Sequence, residues 1–143
     1  MDQDGFNSPE MEYAIDAARL SCPDALRDND DYGFGAICYR RDLHDKAVGA
    51  HLFWGPYLPL PAGVYLVAFD GELEGRLTIE LSSSGGNERL RSAIVQDFAE
   101  PLCLIAKKPV QDLEVRGVKT ASLLGLRLKS VMIRSVYVAP TSD

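Results

Sequence analysis

Apolar and polar residues alternate along much of the chain from Gly33 onward, a pattern typical of β-strands with one buried and one solvated face. In residues 76–82 every second side chain is apolar, and residues 124–129 repeat this alternation. Ser130 then shifts the phase of the alternation, which predicts a bulge or bend before Val131. The pattern therefore predicts strands that cover a core.

Short segments separated by Gly, Pro, Ser and Asp continue this pattern to Val138. The predicted strands are residues 34–39, 50–54, 64–69, 76–82, 93–98, 102–107, 111–116 and 124–129, with 131–138 as a continuation or a ninth strand. The polar segment 82–87 is predicted as a flexible connection. Regularly spaced short strands without long intervening helices favour an antiparallel two-sheet sandwich or barrel over a βαβ fold.

The amino-terminal part follows a different period. Ser8 and Pro9 provide a cap and a first-turn residue, and the apolar positions at helical spacing are Met11, Ala14, Ile15 and Ala18. We therefore predict a short amphipathic helix over residues 9–20, ended by Pro23. The predicted organisation is an acidic segment with this helix at residues 1–32, followed by a β-sandwich domain at residues 33–143.

Charge separates the same two parts of the chain. The protein has 143 residues and a formal net charge of −6, and residues 1–45 hold eleven acidic against four basic side chains. This balance argues against nucleic acid as a partner, because nucleic-acid binding depends on clustered Lys and Arg. Seven basic side chains between residues 101 and 138 are interpreted as solvated strand faces, with an anionic partner as the alternative.

Cysteine content and the amino terminus bear on location. The three cysteines have no CxxC spacing and are odd in number, so reduced thiols are expected rather than a disulfide framework or zinc site. The first residues lack a basic stretch followed by an apolar one, and no apolar run approaches 18 residues. We predict a cytoplasmic protein with no membrane span.

Residues 54–65 hold three prolines together with Trp54, Tyr57 and Tyr65. Proline cannot donate to a β-ladder, so a central strand is not expected in this segment. The aromatic rings have two interpretations: they close one end of the sandwich core, or they are exposed and stack on sugar faces.

The segment Gly55-Pro56-Tyr57, followed by Leu60-Pro61-Ala62-Gly63 and then Tyr65, Val67 and Phe69, resembles carbohydrate-binding-module-like jelly-roll domains. Such domains are associated with bacterial glycosyltransferases and sugar-modifying methyltransferases. The resemblance covers about residues 50–134 and includes the alternating strand at 77–81 and Leu113-Glu114-Val115-Arg116. It implies an antiparallel jelly-roll β-sandwich that acts as a non-catalytic, glycan-associated module, sometimes with a structural calcium ion.

No other cofactor or metal site is predicted. The run Asp28, Asp30 and Asp31 offers oxygen ligands for calcium but lacks the Gly and Glu of an EF-hand loop, so a solvated linker is the preferred interpretation. The two histidines match no HExxH or His-x-His pattern, and no GxSxG turn is present. Two catalytic arrangements stay open: a Cys-His pair of Cys38 or Cys103 with His51, and a carboxylate pair of Glu80 with Glu114.

The expected ligand-binding residues are Trp54, Tyr57, Glu114 and Arg116. Glu114 and Arg116 lie on the polar face of one strand, and Glu80, Arg127 and Lys129 are expected beside them on a concave polar face; cross-strand ion pairs explain these charges equally well. The leading hypothesis is a glycan-binding or accessory module. The alternative is a structural or protein-interaction adaptor, including a homo-oligomer, that docks through its acidic amino-terminal third or basic carboxy-terminal strands.

Overall fold

Strands make up most of the chain in the computed structural model, which describes residues 11–28 and 35–140. The strands of these residues are β1 Glu12–Asp16, β2 Arg27–Asp28, β3 Ala36–Arg40, β4 His51–Phe53, β5 Pro56–Leu60, β6 Gly63–Glu74, β7 Leu77–Ser83, β8 Glu88–Val95, β9 Leu102–Ala106, β10 Val110–Lys119 and β11 Gly125–Val138. Single 3₁₀ turns at Ala17–Arg19, Asp24–Leu26 and Ser84–Gly86 are the helical elements in the same residues. The prediction of an all-β fold is confirmed.

The strands form two antiparallel sheets. The six-stranded sheet has the order β2-β3-β11-β6-β9, with β1 also paired to β11, and the five-stranded sheet has the order β4-β10-β7-β8, with β5 also paired to β10. Beyond β3 the chain passes repeatedly from one sheet to the other, so neighbours in sequence seldom pair. The apolar side chains of both inner faces form a single core cluster.

Alternation along each strand decides which side chains enter this core. On β7, Leu77, Ile79 and Leu81 are fully buried, whereas Thr78 and Glu80 between them are partly exposed. The phase change predicted at Ser130 is confirmed, because the pairing of β11 with β6 shifts register between Leu128 and Ser130. This irregularity keeps both halves of β11 facing the core.

The amino-terminal helix prediction is wrong for the described residues. Residues 12–16 form β1, which pairs with β11 in a register that runs from Glu12 opposite Arg134 to Asp16 opposite Ser130. Ile15 and Ala17 are buried while Ala14 is exposed, so the apolar residues serve a period of two rather than 3.6. An unpaired edge of β11 was available to this short segment, and ladder hydrogen bonds outweighed its helical spacing.

A single arginine secures the rest of this amino-terminal segment. The Arg27 guanidinium donates to the carbonyl oxygens of Ala17, Leu20 and Gly35 at 2.7, 2.5 and 2.6 Å. Hydrogen bonds from a charged donor are among the stronger ones in proteins, and here three of them join successive stretches of backbone. The described part of the acidic segment is therefore packed against the sheets; the boundary predicted at residues 32 and 33 lies outside the described residues.

Two further differences concern turns. The strand predicted over residues 93–98 begins earlier and ends at Val95, as β8. Ser83, predicted in the flexible connection, belongs to β7 and is buried; Ser82, included in both the predicted strand and the predicted connection, is likewise buried on β7. The proline-rich residues 56–60 form β5, which pairs with β10 along one side, an edge position that tolerates proline.

Candidate functional site

Three of the four predicted ligand residues meet on the outer face of the five-stranded sheet. The Tyr57 hydroxyl on β5 donates to Glu114 Oε2 on β10 at 3.4 Å. An Arg116 terminal nitrogen donates to Glu114 Oε1 at 2.9 Å. Adding Glu80 and Ser82, which lie on the neighbouring strand β7, we call this group the Glu114 cluster.

Strand alternation sets the direction of the two β10 side chains. Leu113 and Val115 enter the core, so Glu114 and Arg116 lie on the opposite face of the sheet. Glu114 is nevertheless only 3% exposed. A carboxylate buried this deeply needs compensation, and the guanidinium and the phenol supply it.

The Ser84–Gly86 turn covers the other side of Arg116. The backbone NH of Ser84 donates to Asp112 Oδ1 at 2.8 Å, which ties the turn to β10. Gly86 lies so close to the guanidinium of Arg116 that a Cβ at this position would overlap it. The turn and β5 therefore flank the cluster from two sides.

Electrostatics bind the cluster together. The hydrogen bond to Glu114 raises the pKa of Arg116 further above its usual range. Partial burial of the phenol, followed by the charge of Glu114, raises the pKa of Tyr57 above 10.0. Both effects keep the guanidinium charged and the phenol protonated, which suits a pair of donors on one carboxylate.

Glu80, on β7, is the second carboxylate beside the Arg116 guanidinium. It lies directly opposite Arg116 in the register of β7 and β10, with its Oε1 4.0 Å from an Arg116 nitrogen. Its second oxygen is 3.5 Å from Arg89. The two carboxylates considered as a catalytic pair are thus brought to one site, where cations engage both of them in an ion-pair network.

Two polar atoms of the cluster are buried without a hydrogen-bond partner among the described residues: Ser82 Oγ and Arg116 Nε. Ser82 is only 2% exposed and lies directly opposite Glu114 in the register of β7 and β10. Buried polar groups are almost always paired, so these two atoms have hydrogen-bonding capacity that the described residues do not use. Sequence reasoning missed Ser82 as a site residue because it lies where the predicted strand 76–82 meets the predicted connection 82–87, and no signal in the pattern connects it to Glu114.

Backbone strain occurs at the same place. Tyr57 and Ser84, with φ of 69° and 57°, are the non-glycine residues of the described ranges that adopt a positive φ. A non-glycine residue in this conformation costs about 1–2 kcal/mol and is enriched at functional sites. Tyr57 belongs to the Glu114 cluster, and Ser84 begins the turn that covers it. Nothing in the residue pattern predicts either conformation.

The remaining predicted residues lie elsewhere. Trp54 is half-buried, and its backbone exchanges hydrogen bonds with Ser21 at 2.8 and 2.9 Å instead of joining the cluster. Tyr65 belongs to the core, with its hydroxyl donating to the Pro61 carbonyl at 2.6 Å. Arg127 and Lys129, expected beside Glu114, are on β11 in the six-stranded sheet, because the chain crosses between sheets after β10.

No hydrogen bond among the described residues joins Cys38 or Cys103 to His51, and Cys103 on β9 and His51 on β4 belong to different sheets. His44 accepts a hydrogen bond from the Arg40 backbone NH at 2.9 Å, and His51 is exposed on β4. The Cys38 thiol lies 3.6 Å from Asp28 and 3.2 Å from Arg127. Burial raises the pKa of this thiol above 9.0, so it stays protonated at neutral pH.

The described residues bear on two further predictions, calcium binding and the absence of a membrane span. They contain no group of three or more His, Cys, Asp or Glu side chains arranged to hold a metal ion. Asp30 and Asp31, two of the three calcium candidates, lie outside these residues, and Asp28 pairs with Arg127 at 3.0 Å. None of the helical turns described is long and apolar enough to cross a membrane.

Comparison with known proteins adds no relative: no family model matches the chain, and no curated protein matches it. The geometry of the Glu114 cluster is therefore the main indication of function.

Proposed function

We propose that the protein is a non-catalytic, glycan-associated binding module whose ligand surface is the Glu114 cluster on a jelly-roll sandwich. The observation that carries the proposal is the half-exposed Tyr57 ring, whose hydroxyl meets a buried carboxylate that Arg116 also holds. An aromatic ring beside oriented polar groups is the usual composition of a small-ligand site, and sugars present both apolar faces and hydroxyls.

The strand order supports the jelly-roll part of the proposal. From β3 to β11 the chain alternates between sheets so that β3, β11, β6 and β9 share one sheet, and β4, β10, β7 and β8 share the other. Two four-stranded antiparallel sheets connected in this interleaved way are expected of a double Greek key. In this arrangement β1, β2 and β5 are additional edge pieces.

Unpaired polar atoms support the ligand part. Ser82 Oγ and Arg116 Nε are buried without partners among the described residues; a ligand hydroxyl is able to donate to or accept from Ser82 Oγ and to accept from the Nε–H of Arg116. The strained backbone of Tyr57 holds the ring at the edge of the cluster. The two carboxylates are already engaged by cations, so we assign them to ligand orientation rather than to acid-base chemistry.

A calorimetric titration against a panel of bacterial polysaccharides and oligosaccharides tests this proposal. Tyr57→Ala is the informative variant, and Tyr137→Ala is its matched control because both tyrosines are 48% exposed, on opposite sheets. We expect Tyr57→Ala to weaken glycan binding about tenfold and Tyr137→Ala to leave it unchanged. Absence of glycan binding, or equal effects of the two substitutions, would contradict the proposal.

An adaptor function is the second candidate, favoured by a separate observation. The outer face of the six-stranded sheet exposes apolar side chains: Ile105 is 63% exposed, Tyr137 48% and, further along β11, Met132 41%. Val64 lies between Tyr137 and Ile105 in the strand register. An exposed apolar patch on a sheet is typical of a protein-protein contact, including one between two copies of the same chain.

Light scattering during gel filtration separates this candidate from a monomeric module. The adaptor hypothesis expects wild-type protein to self-associate and Ile105→Lys to shift it toward a monomer, because a buried lysine is costly in an interface. A monomer at all accessible concentrations would count against a homo-oligomer. The cytoplasmic location and the structural calcium ion stay predictions from the sequence and its resemblance.

A further inference from the structure

A second site, unrelated to the Glu114 cluster, lies on the outer face of the six-stranded sheet. Here a depression of about 460 Å³ opens where β3, β11 and β6 run side by side. Gly125 forms its floor, with Arg40 opposite it on β3 and Glu74 opposite it on β6. We call this feature the Gly125 depression.

Nothing in the described part of the chain explains the glycine at the floor. Every other described glycine either has a left-handed φ or has no room for a Cβ, as at Gly63 and Gly117. A Cβ at Gly125 would meet its nearest neighbours, Glu74 Oε1 and the Tyr39 carbonyl oxygen, at an ordinary 3.6 Å. Glycine weakens a strand and often marks a place where a ligand approaches the backbone closely.

The two walls of the depression carry opposite charges. Arg40 stands on β3, whereas Glu72 and Glu74 stand on β6; Arg127, on β11 between these strands, is already paired with Asp28. Strands two positions apart in a sheet are separated by about 10 Å, a gap that a small molecule can span. Among the described residues no ion pair joins Arg40 to Glu74 across the glycine; Arg40 Nε lies 3.4 Å from Asp42 instead.

We propose that the Gly125 depression binds a small zwitterion, a compound with a carboxylate and an ammonium group joined by a short aliphatic chain. The carboxylate lies toward the guanidinium of Arg40, which has further donors besides the Nε used by Asp42. The ammonium lies toward Glu72 and Glu74, and the aliphatic chain lies over the bare backbone of Gly125. The volume of the depression suits a ligand of amino-acid size.

An internal ion pair is the competing explanation. A mobile Arg40–Glu74 pair would close over the glycine, and an exposed pair of this kind stabilises by less than about 1 kcal/mol. It would not select between zwitterions and singly charged compounds. The two explanations therefore differ in ligand specificity.

Amino acids of graded length measure this specificity. Glycine, 4-aminobutanoate and 6-aminohexanoate are titrated into the full chain at low salt and followed by amide chemical shifts, with butanoate and butylammonium as singly charged controls. We expect one of the two longer zwitterions to bind about tenfold more tightly than either control, with shifts centred on Gly125. Equal binding of zwitterion and controls, or shifts located elsewhere, would overturn the proposal.

Two substitutions complete the test. Gly125→Val places a strand-compatible side chain on the floor of the depression, where a Cβ has ordinary contacts at 3.6 Å, and Ala14→Val is its control on an exposed position of the same sheet. Gly125→Val is expected to abolish zwitterion binding and Ala14→Val to retain it. Glu74 is exposed, so Glu74→Gln is expected to leave folding intact. This substitution is expected to weaken zwitterion binding about tenfold and to leave butanoate binding unchanged. Unaltered zwitterion binding in both Gly125→Val and Glu74→Gln would refute the assignment.

Discussion

The outer faces of the two sheets use charge in different ways. On the five-stranded sheet, Glu114 is buried and its carboxylate is held by Tyr57 and Arg116. On the six-stranded sheet, charged side chains such as Glu72, Glu74 and Arg134 are exposed, and apolar side chains are exposed beside them. The same alternation of apolar and polar residues thus produces a solvated outer face on the six-stranded sheet and a largely buried group of polar side chains on the outer face of the five-stranded sheet.

Truncation of the central carboxylate tests this contrast most strongly. Glu114→Ala leaves the guanidinium of Arg116 partly buried without its anion, and loss of one partner of a buried pair costs about 3 kcal/mol in free energy of unfolding. Arg134→Ala, on the exposed face of the other sheet, is the control and is expected to cost less than about 0.5 kcal/mol. Urea denaturation measures both. Similar losses of unfolding free energy in the two variants would show that charged side chains on the two outer faces contribute equally to stability.

The turn over the cluster provides a second, smaller contrast. Gly85 and Gly86 both have a left-handed φ, so alanine at either position costs about 1 kcal/mol in conformational strain. A Cβ at Gly86 also overlaps Arg116, whereas a Cβ at Gly85 meets nothing within 4 Å. Thermal or urea unfolding is therefore expected to show Gly86→Ala as less stable than Gly85→Ala by about 1 kcal/mol or more. Equal stability would mean that the turn does not pack on the guanidinium.

The stability of the Glu114 cluster is also expected to depend on alkaline pH. The pKa of Tyr57 is raised in the folded protein, so its contribution to stability is fully present below pH 10.0 and is lost as pH rises through the folded pKa. Tyr57→Phe removes this contribution, and its free energy of unfolding is expected to fall less steeply above pH 10.0 than that of the wild type. Identical slopes in denaturation series across this range would show that the phenol is not coupled to Glu114.

A substitution among the exposed apolar side chains of the six-stranded sheet is expected to change the free energy of unfolding least. Met132 is 41% exposed on the six-stranded sheet, so Met132→Lys is expected to change the free energy of unfolding by less than about 0.5 kcal/mol. The measurement is urea denaturation at several protein concentrations. A larger loss that grows with concentration would indicate that this face is covered by a second copy of the chain.

Strands with strict alternation were predictable because burial of one face alone decides their period. β7 and the phase change at Ser130 follow from this pattern, and so does the pairing of Glu114 with Arg116 two residues apart on one face. β1 was not predictable, because Met11, Ala14, Ile15 and Ala18 suit a helix and only the free edge of β11 decides between the two structures.

The site was predictable in part for the same reason. Tyr57, Glu114 and Arg116 were predictable because two of them lie on one alternating strand and the third is an aromatic residue in the proline-rich segment 54–65. Ser82 and the covering Gly86 were not, since their proximity to Arg116 depends on the register of β7 with β10 and on the path of the turn. Trp54 was expected at the site but lies half-buried against Ser21, a contact between distant segments that no local pattern reveals.

Mapping of glycan-induced changes in backbone amide chemical shifts is the most direct test of the central claim that the Glu114 cluster is the ligand surface. The bacterial oligosaccharides of the calorimetric panel serve as probes for the wild-type protein. If the Glu114 cluster binds the glycan, we expect the chemical shift changes to be concentrated on β5, β7, β10 and the Ser84–Gly86 turn. Shifts confined to the six-stranded sheet, or no shifts with any glycan, would contradict it.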